Sequence, residues 1–295
     1  MSGSAAHWIA CRGRPLQGAL RVPGDKSVSH RAIMLGALAQ GTTRITGFLE
    51  GEDTRATAHV FEQLGVRIET PNASERVVHG VGLHGLRGSA SPLDCGNAGT
   101  GMRLLAGVLA GQGFDSTLVG DASLSRRPMR RVIEPLSRMG ARIEATGDGL
   151  PPLHVYGGQA LQGIDYTLPI ASAQVKSALL LAGLYARGTT RVREPHPTRD
   201  YTERMLQAFG WPIRFSPGEA ELEGGHGLKA TDVAVPADFS SAAFFLVAAS
   251  VVPGSDLCLR RVGMNPRRTG LLDALRMMGA DITTGAVGEQ GGEPV

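Results

Sequence analysis

The stretch Phe61-Glu62-Gln63-Leu64-Gly65-Val66-Arg67-Ile68 decides the fold. It reads as the end of an amphipathic helix, a glycine that closes it in the left-handed conformation, and a short strand. The same signals return three times. They are Leu136-Ser137-Arg138-Met139-Gly140 before Ala141-Arg142-Ile143, Met205-Leu206-Gln207-Ala208-Phe209-Gly210 before Pro212-Ile213-Arg214, and Arg276-Met277-Met278-Gly279 before Ala280-Asp281-Ile282. The closing glycines lie about 70 residues apart, a period that marks repeated supersecondary units.

Upstream of each closing helix lies a second helix-like apolar run, then a glycine and a strand. The pairs are Ala32 to Leu38 with Gly41 to Ile45, Leu104 to Leu109 with Gly113 to Val119, Val175 to Tyr185 with Gly188 to Val192, and Ala242 to Val252 with Gly254 to Leu259. Return strands follow the first three copies, at Arg76-Val77-Val78, Leu153-His154-Val155 and Ala220-Glu221-Leu222. The unit is therefore roughly βαβαββ and the fold class α/β (α+β). The fourth copy reaches Val295 where its return strand is due, so an open sheet edge is expected there.

Composition limits the function. The 295 residues are 42% hydrophobic and 19% charged with a net charge of +3, the profile of a globular protein. Aromatics at 5% leave little for base stacking, so nucleic acid is not an expected partner. The run Ala242 to Val252 is too short to cross a bilayer and reads as a buried core helix; no membrane partner is expected. The cysteines, Cys11, Cys95 and Cys258, are scattered and odd in number, which fits a reducing, cytoplasmic compartment. The histidines show no ligand spacing, and no metal or cofactor is expected.

Chemistry gathers at the helix starts. In Pro23-Gly24-Asp25-Lys26-Ser27-Val28-Ser29-His30-Arg31 a Pro-Gly turn leads to a helix N-terminus, where amides and the helix dipole favour an anion. Lysine occurs only at 26, 176 and 229, so arginine is the default cation and Lys26 stands out. Arg31 lies one turn beyond Ser27 and is placed to grip a carboxylate or phosphate in bidentate fashion. Asp25 or Ser27 is the expected cap. The second copy opens with Gly96-Asn97-Ala98-Gly99-Thr100-Gly101-Met102-Arg103, a glycine-rich loop with Asn97 as a candidate cap. Ser125-Arg126-Arg127-Pro128-Met129-Arg130-Arg131 clusters four arginines. The third copy opens with Ala171-Ser172-Ala173-Gln174-Val175-Lys176-Ser177, and Glu194-Pro195-His196-Pro197-Thr198-Arg199-Asp200 adds a loop cation.

Together with Gly120-Asp121-Ala122-Ser123-Leu124 and Met264-Asn265-Pro266-Arg267-Arg268-Thr269-Gly270, these segments resemble the EPSP synthase (3-phosphoshikimate 1-carboxyvinyltransferase) family over almost the whole chain. The resemblance implies the enolpyruvate transferase fold, with two domains of three βαβαββ units each. Residues 22–236 would form a complete domain, and 1–21 plus 237–295 a partial second one holding one of its three units. It implies transfer of the enolpyruvyl group of phosphoenolpyruvate to the 5-hydroxyl of shikimate-3-phosphate, a step of chorismate and aromatic amino-acid biosynthesis, in a monomer.

Carried onto matching positions, the resemblance places Lys26, Ser27, Arg31, Ser172, Gln174 and Arg199 against shikimate-3-phosphate. It places Lys26, Asn97, Gly99, Arg127 and Gln174 against phosphoenolpyruvate. The family's acid–base carboxylates and lysine come from its last two units, so the catalytic residues are expected beyond Val295. A non-catalytic module binding a phosphorylated ligand, and a scaffold or RNA-associated repeat protein, are the alternative readings.

Overall fold

A computed structural model describes Ile9, residues 13–285, 288–290 and 292–295. Strand β1 (Gln17–Leu20) leads into α1 (Lys26–Leu38), β2 (Gln40–Thr46), α2 (Glu52–Gln63) and the hairpin β3 (Arg67–Asn72) and β4 (Glu75–Val81). The order recurs in β5 (Leu93–Asp94), α3 (Gly99–Ala110), β6 (Ser116–Val119), α4 (Arg130–Arg138), β7 (Arg142–Thr146) and β8 (Leu150–Tyr156). It recurs again in β9 (Asp165–Thr167), α5 (Ala173–Gly183), β10 (Thr189–Arg193), α6 (Tyr201–Ala208), β11 (Ile213–Ser216) and β12 (Glu219–Glu223). After β13 (Val233–Ala234) come α7 (Phe239–Val251), β14 (Asp256–Leu259), α8 (Gly270–Met277), β15 (Glu289–Gln290) and β16 (Glu293–Pro294).

Three four-stranded sheets share one pattern: β13-β2-β4-β3, β5-β6-β8-β7 and β9-β10-β12-β11. Each pairs its first two strands in parallel and the rest antiparallel. The sheet of the first repeat thus takes its leading strand from β13, far along the chain. Conversely β1, at the start of the chain, pairs in parallel with β14 of the fourth repeat. Two neighbouring chain segments carry this exchange, since Asp25 N donates to Pro236 O at 2.8 Å and Asp238 N to Pro23 O at 2.8 Å.

Helices α1, α3 and α5 fill the core between the sheets. Almost every residue of each is buried, polar ones included. They lack the one-sided stripe of a surface helix because they are covered all round. Large side chains such as Phe61, Phe209 and Trp211 close the same core. Burying each such side chain contributes roughly 1.5–3 kcal/mol. Small residues set the spacing: a Cβ on Gly107 would collide with the Ala178 carbonyl, joining α3 to α5, and one on Gly111 with the Tyr185 ring.

The fourth repeat differs from expectation in two ways. The run Ala242 to Val252 reads from its composition as a buried core helix, yet only Phe239 and Ala242 of α7 are buried, and Phe244 is 79% exposed. Among the described residues α7 packs mainly on α8 and β14, which cover one flank of a helix apolar all round. Ala280-Asp281-Ile282 forms no strand. A strand needs a ladder partner, and among the described residues none lies beside this segment.

The closing glycines behave as the repeat requires: Gly65, Gly140, Gly210 and Gly279 have φ of 88°, 99°, 80° and 90°. A Gly210→Ala side chain would meet nothing nearer than Lys229 Cδ at 3.8 Å, so its cost is backbone strain alone. We expect a loss of about 1–2 kcal/mol in urea unfolding, against under about 0.5 kcal/mol for Gly113→Ala. Equal losses would show that the left-handed cap carries no strain.

Candidate active site

The N-termini of α1, α3 and α5 meet side by side. Arg31 Nη2 donates to Ser177 Oγ at 2.8 Å, joining α1 to α5. Gln174 Nε2 donates to Thr100 Oγ1 at 2.8 Å, joining α5 to α3. The C-terminal ends of α3 and α5 are also neighbours, as the contact of Gly111 with Tyr185 shows, and Leu38 and Leu184, at the ends of α1 and α5, line one cavity. The helices are therefore parallel, and their positive ends converge.

Asp25 caps α1, its Oδ1 accepting from the Val28 amide at 3.0 Å. Lys26 follows, half exposed, with Nζ 2.8 Å from Asp53 Oδ2. Ser27 is half-buried on the same turn, and its hydroxyl has no protein partner among the described residues. Arg31 is 4% exposed. Its Nε donates to Thr202 Oγ1 at 2.6 Å and its Nη1 to Ser27 O at 2.9 Å. With the bond to Ser177, three of its five N–H donors are taken by protein, leaving two. The expected free bidentate grip is thus reduced: Arg31 organises the site as much as it faces it. Burial pulls its guanidinium down to about 10, with Glu203 opposing and Arg199 reinforcing the shift. Arg199 therefore stands near Arg31, and among the described residues no carboxylate pairs with it.

The loop carrying Arg199 is anchored below. Buried Lys176 lies 2.7 Å from Glu194 Oε2 and 2.8 Å from Glu203 Oε1. Glu194 also accepts from the Thr198 amide at 3.2 Å and from its hydroxyl. Removing one partner of such a buried pair costs about 3–5 kcal/mol.

A second cluster surrounds Gly99 at the start of α3. Arg103 donates through Nη1 to Gly99 O at 3.2 Å and to Gln174 Oε1 at 3.0 Å. Arg131 reaches the same Gln174 oxygen at 3.4 Å. Arg127 donates to Asn97 Oδ1 and to Ser123 Oγ. Burial pulls Arg103 down to about 10, with repulsion from Arg131 and Arg127 adding to it. Among the described residues no carboxylate forms an ion pair with any of the three. Asn97 does not cap α3: Ala98 occupies that position, and the Asn97 amide instead bridges Arg127 and Asp121, donating to Asp121 Oδ2 at 2.8 Å. Ser172 does cap α5, accepting from the Val175 amide.

The structure thus gathers Lys26, Ser27, Arg31 and Arg199 in one group and Asn97, Gly99, Arg127 and Gln174 in another. Helix α5 joins them, with Ser172 at its mouth. Arg103, Arg131, Ser177 and Thr202 belong to these groups and are not among the sites read from the sequence. Arg103 was legible as the residue one turn beyond Gly99, and Arg131 as part of the arginine cluster. Ser177 and Thr202 carry no such signal.

Parallel helix N-termini ringed by guanidiniums that pair with no carboxylate among the described residues make a hollow whose chemistry suits small, multiply charged anions. The comparisons narrow this. The sequence matches the family EPSP synthase (3-phosphoshikimate 1-carboxyvinyltransferase) over residues 11–293. It is 72% identical, over all 295 residues and 67% of the relative's length, to a 3-phosphoshikimate 1-carboxyvinyltransferase of Xanthomonas campestris pv. campestris (strain B100). It is 70% identical over the same shares to that of Xanthomonas oryzae pv. oryzae (strain PXO99A). The solved EPSP synthase of Acinetobacter baumannii superposes with a TM-score of 0.91 at 55% identity, covering 96% of this chain and 64% of that one. The chain belongs to the EPSP synthase family, and its α/β fold of mixed sheets and helices is typical of the enolpyruvyl-transferase superfamily. It spans about two thirds of the length of the relatives it matches. No helix among the described residues is long and apolar enough to cross a membrane.

His30, between the two clusters, is fully buried with Nδ1 2.8 Å from Thr57 Oγ1, and burial pushes its imidazole down to about 3. An unfolded histidine takes a proton near pH ~6.5, so stability falls as pH drops from there toward ~3. We expect His30→Asn to flatten the fall in melting temperature between about pH 6.5 and 4. An unchanged slope would assign the acid loss to other groups.

Proposed function

We propose that this chain supplies the shikimate-3-phosphate side, and part of the phosphoenolpyruvate side, of an EPSP synthase active site. The whole protein joins the two substrates and releases phosphate. The observation that carries the reading is the convergence of six cations on three helix N-termini with, among the described residues, one ion pair to them, Lys26 with Asp53. Lys26, Ser27, Arg31, Arg199, Ser172 and Gln174 hold the sugar-like acid and its phosphate. Arg127, Asn97, the amides at Gly99, Gln174 and Lys26 hold phosphoenolpyruvate.

The reaction adds the 5-hydroxyl of shikimate-3-phosphate to C2 of phosphoenolpyruvate while a proton goes to its methylene carbon. Loss of that proton and of phosphate from the tetrahedral adduct restores the double bond. The cations stabilise charge as it shifts onto the departing phosphate. The proton steps need an acid–base pair. Here the carboxylates Asp53 and Asp121 are engaged with Lys26 and Asn97. We assign the acid–base groups to the part of the full-length protein that this chain does not span.

The sheet exchange supports the domain division. Residues 22–236 form a domain of three units, while β1 with residues 237–295 begins a second. The apolar face of α7, with Phe244 and Val251, is the surface the rest of that domain covers.

Calorimetry with shikimate-3-phosphate tests the assignment. The chain should bind it, with Lys26→Ala and Arg199→Ala each weakening binding about 10- to 100-fold while melting temperatures hold. Both substrates together should yield no phosphate from this chain. No heat from the wild type would end the reading. A Cβ at Gly99 would stand 3.1 Å from Arg127 Nη1 and 3.2 Å from Arg103 Nη1, displacing both guanidiniums. In the full-length enzyme Gly99→Ala should raise KM for phosphoenolpyruvate about tenfold and leave that for shikimate-3-phosphate within about twofold. Equal rises would place Gly99 elsewhere.

A further inference from the structure

The motif Met264-Asn265-Pro266-Arg267-Arg268-Thr269-Gly270 reaches the residues that cap and support the anion site. Arg268 is 13% exposed and lies where the chain crosses at 23–25 and 236–238. Its Nη2 is 3.1 Å from Asp238 Oδ1 and bonds Ser240 Oγ. Its Nη1 is 3.8 Å from Asp25 Oδ2 and 3.5 Å from the Tyr201 hydroxyl. Asp25 caps α1 and Asp238 caps α7. Tyr201, the first residue of α6, also donates to Asp25 Oδ2 at 3.1 Å. One turn away, Asn265 Nδ2 donates to Asp200 Oδ1 at 2.7 Å and to Glu293 Oε2 at 2.9 Å.

We propose that Arg268 is a positioning residue for the anion site: by holding the caps of α1 and α7 on one guanidinium, it couples the orientation of Lys26 and Ser27 to the segment 237–295. The proposal rests on the reading of Lys26 and Ser27 as ligands of shikimate-3-phosphate.

The carboxylates of buried Asp25 and partly buried Asp238, on adjoining chain segments, repel, and Arg268 is the cation between them. Asp25 Oδ1 must accept from the Val28 amide for α1 to begin at Lys26. The Asp25 carboxyl is raised by burial; the Val28 amide and Arg268 oppose this and Asp238 adds to it. Arg31 from α1 and Glu293 from β16 also face it. Without the guanidinium, Asp25 would hold a proton to higher pH, and its weakened cap would loosen the turn that carries Lys26 and Ser27. Lysine would supply a charge without the fork that spans both carboxylates and Ser240.

The test compares wild type, Arg268→Met and Arg268→Lys by titration with shikimate-3-phosphate between about pH 5.5 and 8.5. The ratio to wild type cancels the ligand's own ionisation. We expect Arg268→Met to bind about tenfold weaker near pH 6 and to recover as pH rises. Arg268→Lys should show a smaller deficit that is flat with pH. Equal affinity at every pH, or a loss of one size in both variants at every pH, overturns the proposal. The Asp25 carboxyl carbon, followed by NMR without ligand, gives a second reading. Its titration should move to higher pH in Arg268→Met, and an unmoved midpoint overturns the clamp even if no ligand binds. Failure of the wild type to bind shikimate-3-phosphate would instead remove the functional reading.

Discussion

Three parallel helices packed inside one core are the constraint on which the rest depends. Side-by-side helix dipoles pointing the same way repel, and here burial removes the water that would screen them. Apolar packing offsets this along the shafts, where Gly107 admits the Ala178 backbone. It cannot do so at the N-terminal ends, which add Arg31, Arg103 and Arg199 to the positive ends of the helices. The folded chain therefore carries an unbalanced positive hollow. The fold and the placement of the positive hollow are the same physical fact: parallel connections put like helix ends together.

Much of this was legible in the sequence because it is periodic. The four closing glycines, the apolar runs and the strands recur in fixed order, and each glycine adopts the positive φ that its position demands. The glycine-rich opening at Gly96 to Gly101 and the Lys26 turn were readable because few structures need a cation, a hydroxyl and a tight turn together. What escaped depends on partners far away in the chain. Composition marks α7 as buried, but burial depends on what packs against a helix, and sequence apolarity reports only the tendency. Asn97 looked like a cap, yet Arg127 and Asp121, in the next loop, draw its amide away. Arg31 looked free because Ser177 and Thr202, which bind it, lie in the third repeat.

The exchange of β1 and β13 between repeats has a similar origin. A βαβαββ unit needs a leading parallel strand, and the strand nearest in sequence is not the one used. The chain crosses at 23–25 and 236–238, so each crossing delivers the leading strand of the other group of sheets. This ties the start of α1, with its Lys26 turn, to the start of α7. Those two helix starts must then share one polar environment, which explains why acids cap both and why the partly buried Arg268 lies between them.

The choice of arginine over lysine follows from the same electrostatics. Of 30 basic residues only three are lysine. Burial alone lowers a cation's pKa, and a lysine starting near ~10.4 has less to lose than an arginine starting above ~12. Burial pulls Arg31 and Arg103 down to about 10, still above neutral pH, and among the described residues neither is in contact with a carboxylate. The one deeply buried lysine, Lys176, keeps company with Glu194 and Glu203. A lysine at the Arg103 position would need such an acid, and among the described residues none stands beside Arg103. Buried cations without a carboxylate partner among the described residues are thus arginines. Lys26, by contrast, is half exposed to water and lies 2.8 Å from Asp53 Oδ2.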